Sequence, residues 1–208
     1  MDHSDLLDYL ANGIQECFTD NRRLKTISRI CHHQNQFENW VKIELGTFLW
    51  ELAKRKNLYV FIERNAVDIT LGIPTTTGEL DTSEPFYPIE LKTTGTYWKG
   101  AEAETSARLA LESDGGKKLL WTDMNFIAQS KAGKLSKFPF GLVVLLITHV
   151  ESYHTAGKYD LFKKTAIKLG HIANLSLVTN PQGIELQLPK PMRGHVTPNC
   201  CLMIWSSK

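Results

Sequence analysis

The chain opens on a helical rhythm. Leu6, Leu7, Leu10, Ile14, Cys17 and Phe18 recur at the i, i+3/i+4, i+7 spacing of one apolar helix face, with Ser4 placed to cap it, which predicts a helix over 4–19. A polar, basic link over 20–25 leads to a shorter helical piece ending near Cys31. A longer helix is expected over 37–54, with Val41, Leu45, Phe48, Leu49 and Leu52 as its buried stripe. At ~100° per residue, Glu38 falls inside that stripe, Glu44 lies along its edge and Glu51 is farther out. From Leu58 the period shortens to that of strands: 58–63, a turn at Arg64-Asn65, 66–71, a polar Gly/Pro/Thr-rich loop over 72–86, then 87–93. This spacing predicts an antiparallel meander in which the second and third strands are neighbours. Two helices are expected over 101–112 and 117–131, separated by Ser113-Asp114-Gly115-Gly116. The continuous apolar run over 140–148 reads as a central strand covered on both faces. A helix over 159–169 and strands over 172–178, 184–188 and 201–205 complete the pattern.

Against this pattern, three charges stand out. Glu90 and Lys92 lie two apart in Tyr87-Pro88-Ile89-Glu90-Leu91-Lys92-Thr93-Thr94, so a strand points both to one face. Asp68 holds the equivalent place in Val67-Asp68-Ile69-Thr70-Leu71. Charges among Ile, Leu and Val must be paired, bound to a cation, or set at a strand end facing a cleft. If the two strands are neighbours, Asp68, Glu90 and the backbone carbonyl of Leu91 make a hard oxygen site suited to Mg2+ or Mn2+. Lys92 beside it is placed to orient or deprotonate an attacking water or to stabilise developing charge, and Glu44 is placed to reach the same cleft from the preceding helix. A structural ion pair between Glu90 and Lys92 is the plainer explanation of the same residues.

The order of these elements resembles the PD-(D/E)xK nuclease superfamily and its restriction-endonuclease-like α-β-β-β-α-β core. A helix with an acidic residue is followed by a strand, by Asp68 on a second strand, by Glu90-x-Lys92 on a third, then by a helix and an apolar strand. The resemblance covers about residues 37–148. It implies Asp68 and Glu90 as metal ligands, Lys92 as the catalytic lysine, and a helix glutamate as auxiliary ligand. Of the two available, Glu44 is nearer the first strand than Glu38 and is the expected one. Val67 stands where the family name has proline. Asp81, a rival partner for Glu90, sits in Asp81-Thr82-Ser83 and reads as a turn residue. The resemblance implies an α/β fold with a mixed central sheet flanked by helices, and a Mg2+-dependent hydrolase cutting DNA, of restriction or defence type. The alternative is a non-catalytic DNA-binding or assembly subunit on the same fold.

Bulk properties narrow this only slightly. A length of 208 residues with 42% hydrophobic and 22% charged residues suits a single domain, with 1–36 as a helical extension and 149–208 as a C-terminal elaboration. A net charge of +2 is too mild to argue for nucleic acid by itself, and clusters such as Arg22-Arg23, 54–56 and Lys163-Lys164 read first as solvated faces. Tyr97, Trp98 and Lys99 offer stacking or core packing in equal measure; Lys117 and Lys118 offer a phosphate contact, and Asp123 a structural role. Cys17, Cys31, Cys200 and Cys201 read as reduced, buried thiols. Cys31-His32-His33 has no second Cys/His pair at zinc-finger spacing. With no leader pattern and no apolar run near ~18 residues, the expected place is the cytoplasm, without a membrane partner. Cutting both strands commonly needs two active sites, so a homodimer is the default expectation, with no sequence feature that shows it.

Overall fold

A computed structural model of the chain describes residues 2–33, 37–64, 67–95, 141–151, 157–172, 175–193 and 196–206. The expected helices over 101–112 and 117–131, and Tyr97, Trp98, Lys99, Lys117, Lys118 and Asp123, lie outside the described residues. The elements run α1 (His3–Thr19), α2 (Asn21–His33), α3 (Glu38–Lys54), β1 (Tyr59–Arg64), β2 (Val67–Gly72), β3 (Tyr87–Gly95), β4 (Leu142–His149), α4 (Lys158–Ile172), β5 (Ser176–Leu177), β6 (Ile184–Leu186) and β7 (Asn199–Ser206).

The strands form one mixed seven-stranded sheet in the order β1-β2-β3-β4-β7-β5, with β6 also paired to β7. β1, β2 and β3 are the expected antiparallel meander. β3 and β4 then run parallel, Ile89 opposite Leu142 through Gly95 opposite Thr148. A parallel pair cannot close with a tight turn, and the long segment between β3 and β4 supplies the necessary crossover length. The fold is therefore α/β, with a mixed sheet between helices.

Every residue of β4 is buried, and its side chains divide by alternation. Leu142, Val144 and Leu146 join a core with α1, α2 and α3, while Val143, Leu145 and Ile147 join a second core with Phe162 and Ala166 of α4. A strand covered on both faces has no polar side to show, which is why its sequence is apolar without interruption. β7 divides in the same way: Cys200, Leu202 and Ile204 face the first core, Cys201, Met203 and Trp205 the second.

Two expectations need revision, the link over 20–25 and the strand over 172–178, and both terminal segments take a defined place. In the N-terminal helices, Leu7, Leu10, Ile14, Phe18 and Ile27 pack into the same core as Leu45 and Leu49 of α3. His3 Nδ1 also lies 2.8 Å from the Tyr87 hydroxyl at the start of β3. The expected link over 20–25 is helical from Asn21, since one Asp20 carboxylate oxygen accepts the Arg22 and Arg23 amides at 3.1 Å each and caps α2. The C-terminal strand β7 pairs antiparallel along all of β4. The strand expected over 172–178 shrinks to Ser176–Leu177 as α4 continues to Ile172.

Candidate active site at the fork between β2 and β3

The β2–β3 ladder consists of Leu71 opposite Tyr87, Thr70 opposite Pro88 and Ile69 opposite Ile89. Beyond that pair β3 continues to Gly95 without β2 beside it. Ile89 and Leu91 belong to the first core, so strand alternation directs Glu90 and Lys92 to the opposite face. The backbone amides of Leu91 and Thr93, on the edge that β2 leaves, need other acceptors. Asp68 Oδ2 accepts the Leu91 amide at 2.8 Å, and Glu38 Oε2 accepts the Thr93 amide at 3.1 Å. Two carboxylates thus take the place of the missing strand. Lys92 Nζ stands 3.7 Å from the same Glu38 oxygen. Glu90 is buried at 7% exposure, while Asp68, Lys92 and Glu38 side chains retain 18%, 21% and 31%.

Asp68 meets the Leu91 backbone, and Lys92 stands beside Glu38, a helix carboxylate other than the expected Glu44; Glu90 is buried on the same face of β3 as Lys92. Glu44 does not reach the fork: its Oε2 is bound by Arg23 Nε at 3.1 Å, and the Arg23 guanidinium also lies 5.3 Å from the centre of the Phe48 ring. Glu44 ties α3 to α2. Glu38, at the first turn of α3, is the carboxylate that meets β3.

A further residue escaped the sequence reading. Lys42 lies four residues after Glu38, so both project from one side of α3. It is 8% exposed, and its Nζ stands 2.8 Å from both Asp68 Oδ1 and Glu63 Oε1. Burial pulls the Lys42 ammonium downward, but the hydrogen bonds to Asp68 and Glu63 outweigh it and hold its pKa above that of an ordinary lysine. Glu63 has φ of 55°, a left-handed backbone that a glutamate rarely adopts without support from its surroundings. The only signal in the sequence was a lysine beside Val41 in the buried stripe.

No protein-family model matches the chain, and neither does any curated protein or solved structure. The functional reading rests on the residues themselves.

Among the described residues, no three His, Cys, Asp or Glu side chains gather closely enough to hold a metal ion. A metal at the fork would therefore draw on Asp68, Glu90, a backbone carbonyl and water. The donor types suit this. Both side chains are carboxylates, and in an extended strand the Leu91 carbonyl lies on the same edge as its amide, which points at Asp68. Thr70, two residues along β2 from Asp68, is 1% exposed, and its hydroxyl has no hydrogen-bond partner. Oxygen donors of this kind fit Mg2+ or Mn2+ and fit no soft metal. The second candidate, Asp81, accepts the Ser83 amide at 2.9 Å, as a turn residue does. All four cysteines are buried free thiols. No helix among the described residues is long and apolar enough to cross a membrane.

Proposed function

We propose that the chain is a metal-dependent nuclease of the PD-(D/E)xK type, with a restriction-endonuclease-like core, hydrolysing DNA phosphodiester bonds. The observation that carries this is the fork. Asp68 on β2 and Glu38 on α3 fasten the free edge of β3 just where that strand presents Glu90 and Lys92.

On this reading, Asp68, Glu90 and the Leu91 carbonyl hold Mg2+ or Mn2+. The ion supplies stabilisation of the negative charge that gathers on the phosphoryl oxygens. Lys92 binds a phosphate oxygen or orients the attacking water, and Glu38 keeps its ammonium pointed at the fork. Glu38 is thus a positioning residue, with its second oxygen available to a water. DNA is the partner. Cutting both strands commonly uses two active sites, which a homodimer would provide, and sedimentation of the full chain reads its oligomeric state.

The test is cleavage of plasmid DNA with and without Mg2+ or Mn2+. Asp68→Ala, Glu90→Ala and Lys92→Ala are each expected to abolish metal-dependent cleavage while retaining the circular dichroism of the folded chain. Undiminished cleavage by all three sinks the proposal.

One observation favours a second reading. Lys42 already neutralises Asp68, as in a structural ion pair, which suits a non-catalytic DNA-binding or assembly subunit. That reading expects no cleavage, and a melting temperature indifferent to Mg2+.

A further inference from the structure

The Lys42 ammonium occupies Asp68 Oδ1, the very carboxylate oxygen left over once Oδ2 has accepted the Leu91 amide. Asp68 therefore has one anchored oxygen and one exchangeable oxygen. Lys42 in turn has two carboxylate partners of different kind. Asp68 is largely enclosed at 18% side-chain exposure, whereas Glu63 is open to solvent at 66% and bound at the same 2.8 Å.

A buried ammonium that loses its only partner is left with the full desolvation penalty. Lys42 is spared this, because Glu63 remains when Asp68 is withdrawn. We propose that Lys42 is a resident counter-cation of Asp68 that a divalent metal ion displaces onto Glu63, so that the Lys42–Glu63 pair sets how tightly the fork binds metal. This rests on the nuclease reading of the fork, and goes beyond it by assigning Lys42 and Glu63 a role in metal selection.

The physical argument is electrostatic. A fixed positive charge within a few ångströms of a divalent cation opposes its binding by more than ~1.4 kcal/mol, a factor of ten, at the effective dielectric of a partly buried site. Glu63 offsets that opposition by drawing the ammonium away from Asp68. The left-handed backbone of Glu63 is consistent with a residue held in place by this contact. Lys42 is thus a positioning residue: it acts through Asp68 and touches no substrate.

The signs of the two substitutions differ, whereas an ion pair that does not act on the metal shifts neither. Lys42→Met keeps the length and burial of the side chain while removing the charge. It is expected to tighten Mn2+ binding by on the order of tenfold. Glu63→Gln leaves Lys42 with Asp68 as its one charged partner and is expected to weaken Mn2+ binding. The probe is Mn2+ alone, titrated into the full chain and followed by the electron paramagnetic resonance of free Mn2+, with no nucleic acid present. Opposite shifts in the two variants support the proposal. Unchanged Mn2+ affinity in both, or weakening in both, overturns it while leaving the nuclease reading standing. If neither the wild-type chain nor any variant binds Mn2+, both fall. Should Lys42→Met fail to fold, Glu63→Gln alone decides: equal or tighter binding refutes the displacement.

Discussion

At the scale of single residues, two glutamates on α3 have opposite duties. Glu38 accepts the Thr93 amide and stands beside Lys92, whereas Glu44 is taken by Arg23. If the chain is the proposed nuclease, Glu38→Ala is expected to lower metal-dependent cleavage about ten- to hundredfold, the usual cost of losing a group that orients a site. Glu44→Ala is expected to leave cleavage unchanged and to cost on the order of 1 kcal/mol of stability, since it removes an ion pair whose side chains are 19% and 29% exposed. Single-turnover cleavage rates and urea unfolding of the two variants check this. Asp68, Glu90 and Lys92 were legible in the sequence because strand alternation makes a charge conspicuous among Ile, Leu and Val. Lys42 was not, because a lysine on a helix ordinarily carries its ammonium to water along an aliphatic stem, and nothing local shows that two carboxylates await it.

At the scale of elements, α3 explains the choice of carboxylate. Positions 38 and 42 differ by about 40° around a helix, whereas 38 and 44 differ by about 120°. A helix that presents Glu38 and Lys42 to the fork therefore turns Glu44 toward another neighbour, here α2. Nearness along the chain to β1, the ground for expecting Glu44, was a poor guide; the face of the helix decides. The same reasoning applies to α4, which packs closely on β7. A Cβ at Gly170 would fall inside contact distance of the Trp205 indole, a rigid ring buried to 1% exposure. Gly170→Ala is expected to destabilise the fold by about 1–3 kcal/mol. At Gly13 an added Cβ meets only the flexible end of Leu52, and Gly13→Ala is expected to cost less. Comparing the two melting temperatures tests whether α4 is held to β7 this tightly.

At the scale of the whole molecule, buried thiols link stability to pH. Burial pushes Cys17 and Cys201 up to about 12 and Cys200 well above its ordinary value. These thiols lie in both cores, Cys17 of α1 and Cys200 of β7 in the first and Cys201 of β7 in the second. An unfolded thiol ionises near ~8.5 while the folded one keeps its proton, so the contribution is complete below ~8.5 and is lost as pH rises toward the folded value. The loss reaches ~1.4 kcal/mol per pH unit for each thiol. Urea midpoints in reductant are expected to be insensitive to these groups at pH 7 and to fall by pH 9.5, with a smaller fall in Cys17→Ala. The sequence by itself determined the helices α1, α3 and α4, the β1–β2–β3 meander, the two-sided burial of β4 and the three charges of the fork. Each of these is written in local periodicity, where an apolar side chain must find a core and a charge in an apolar strand must find a partner. Only the tertiary structure decided that α1 and α2 belong to the core, that β7 lies beside β4, that Glu38 rather than Glu44 meets β3, and that Lys42 holds Asp68. These depend on which elements meet in space. The sequence states that a face is apolar or that a charge needs a partner, but the partner is selected by packing between segments far apart in the chain.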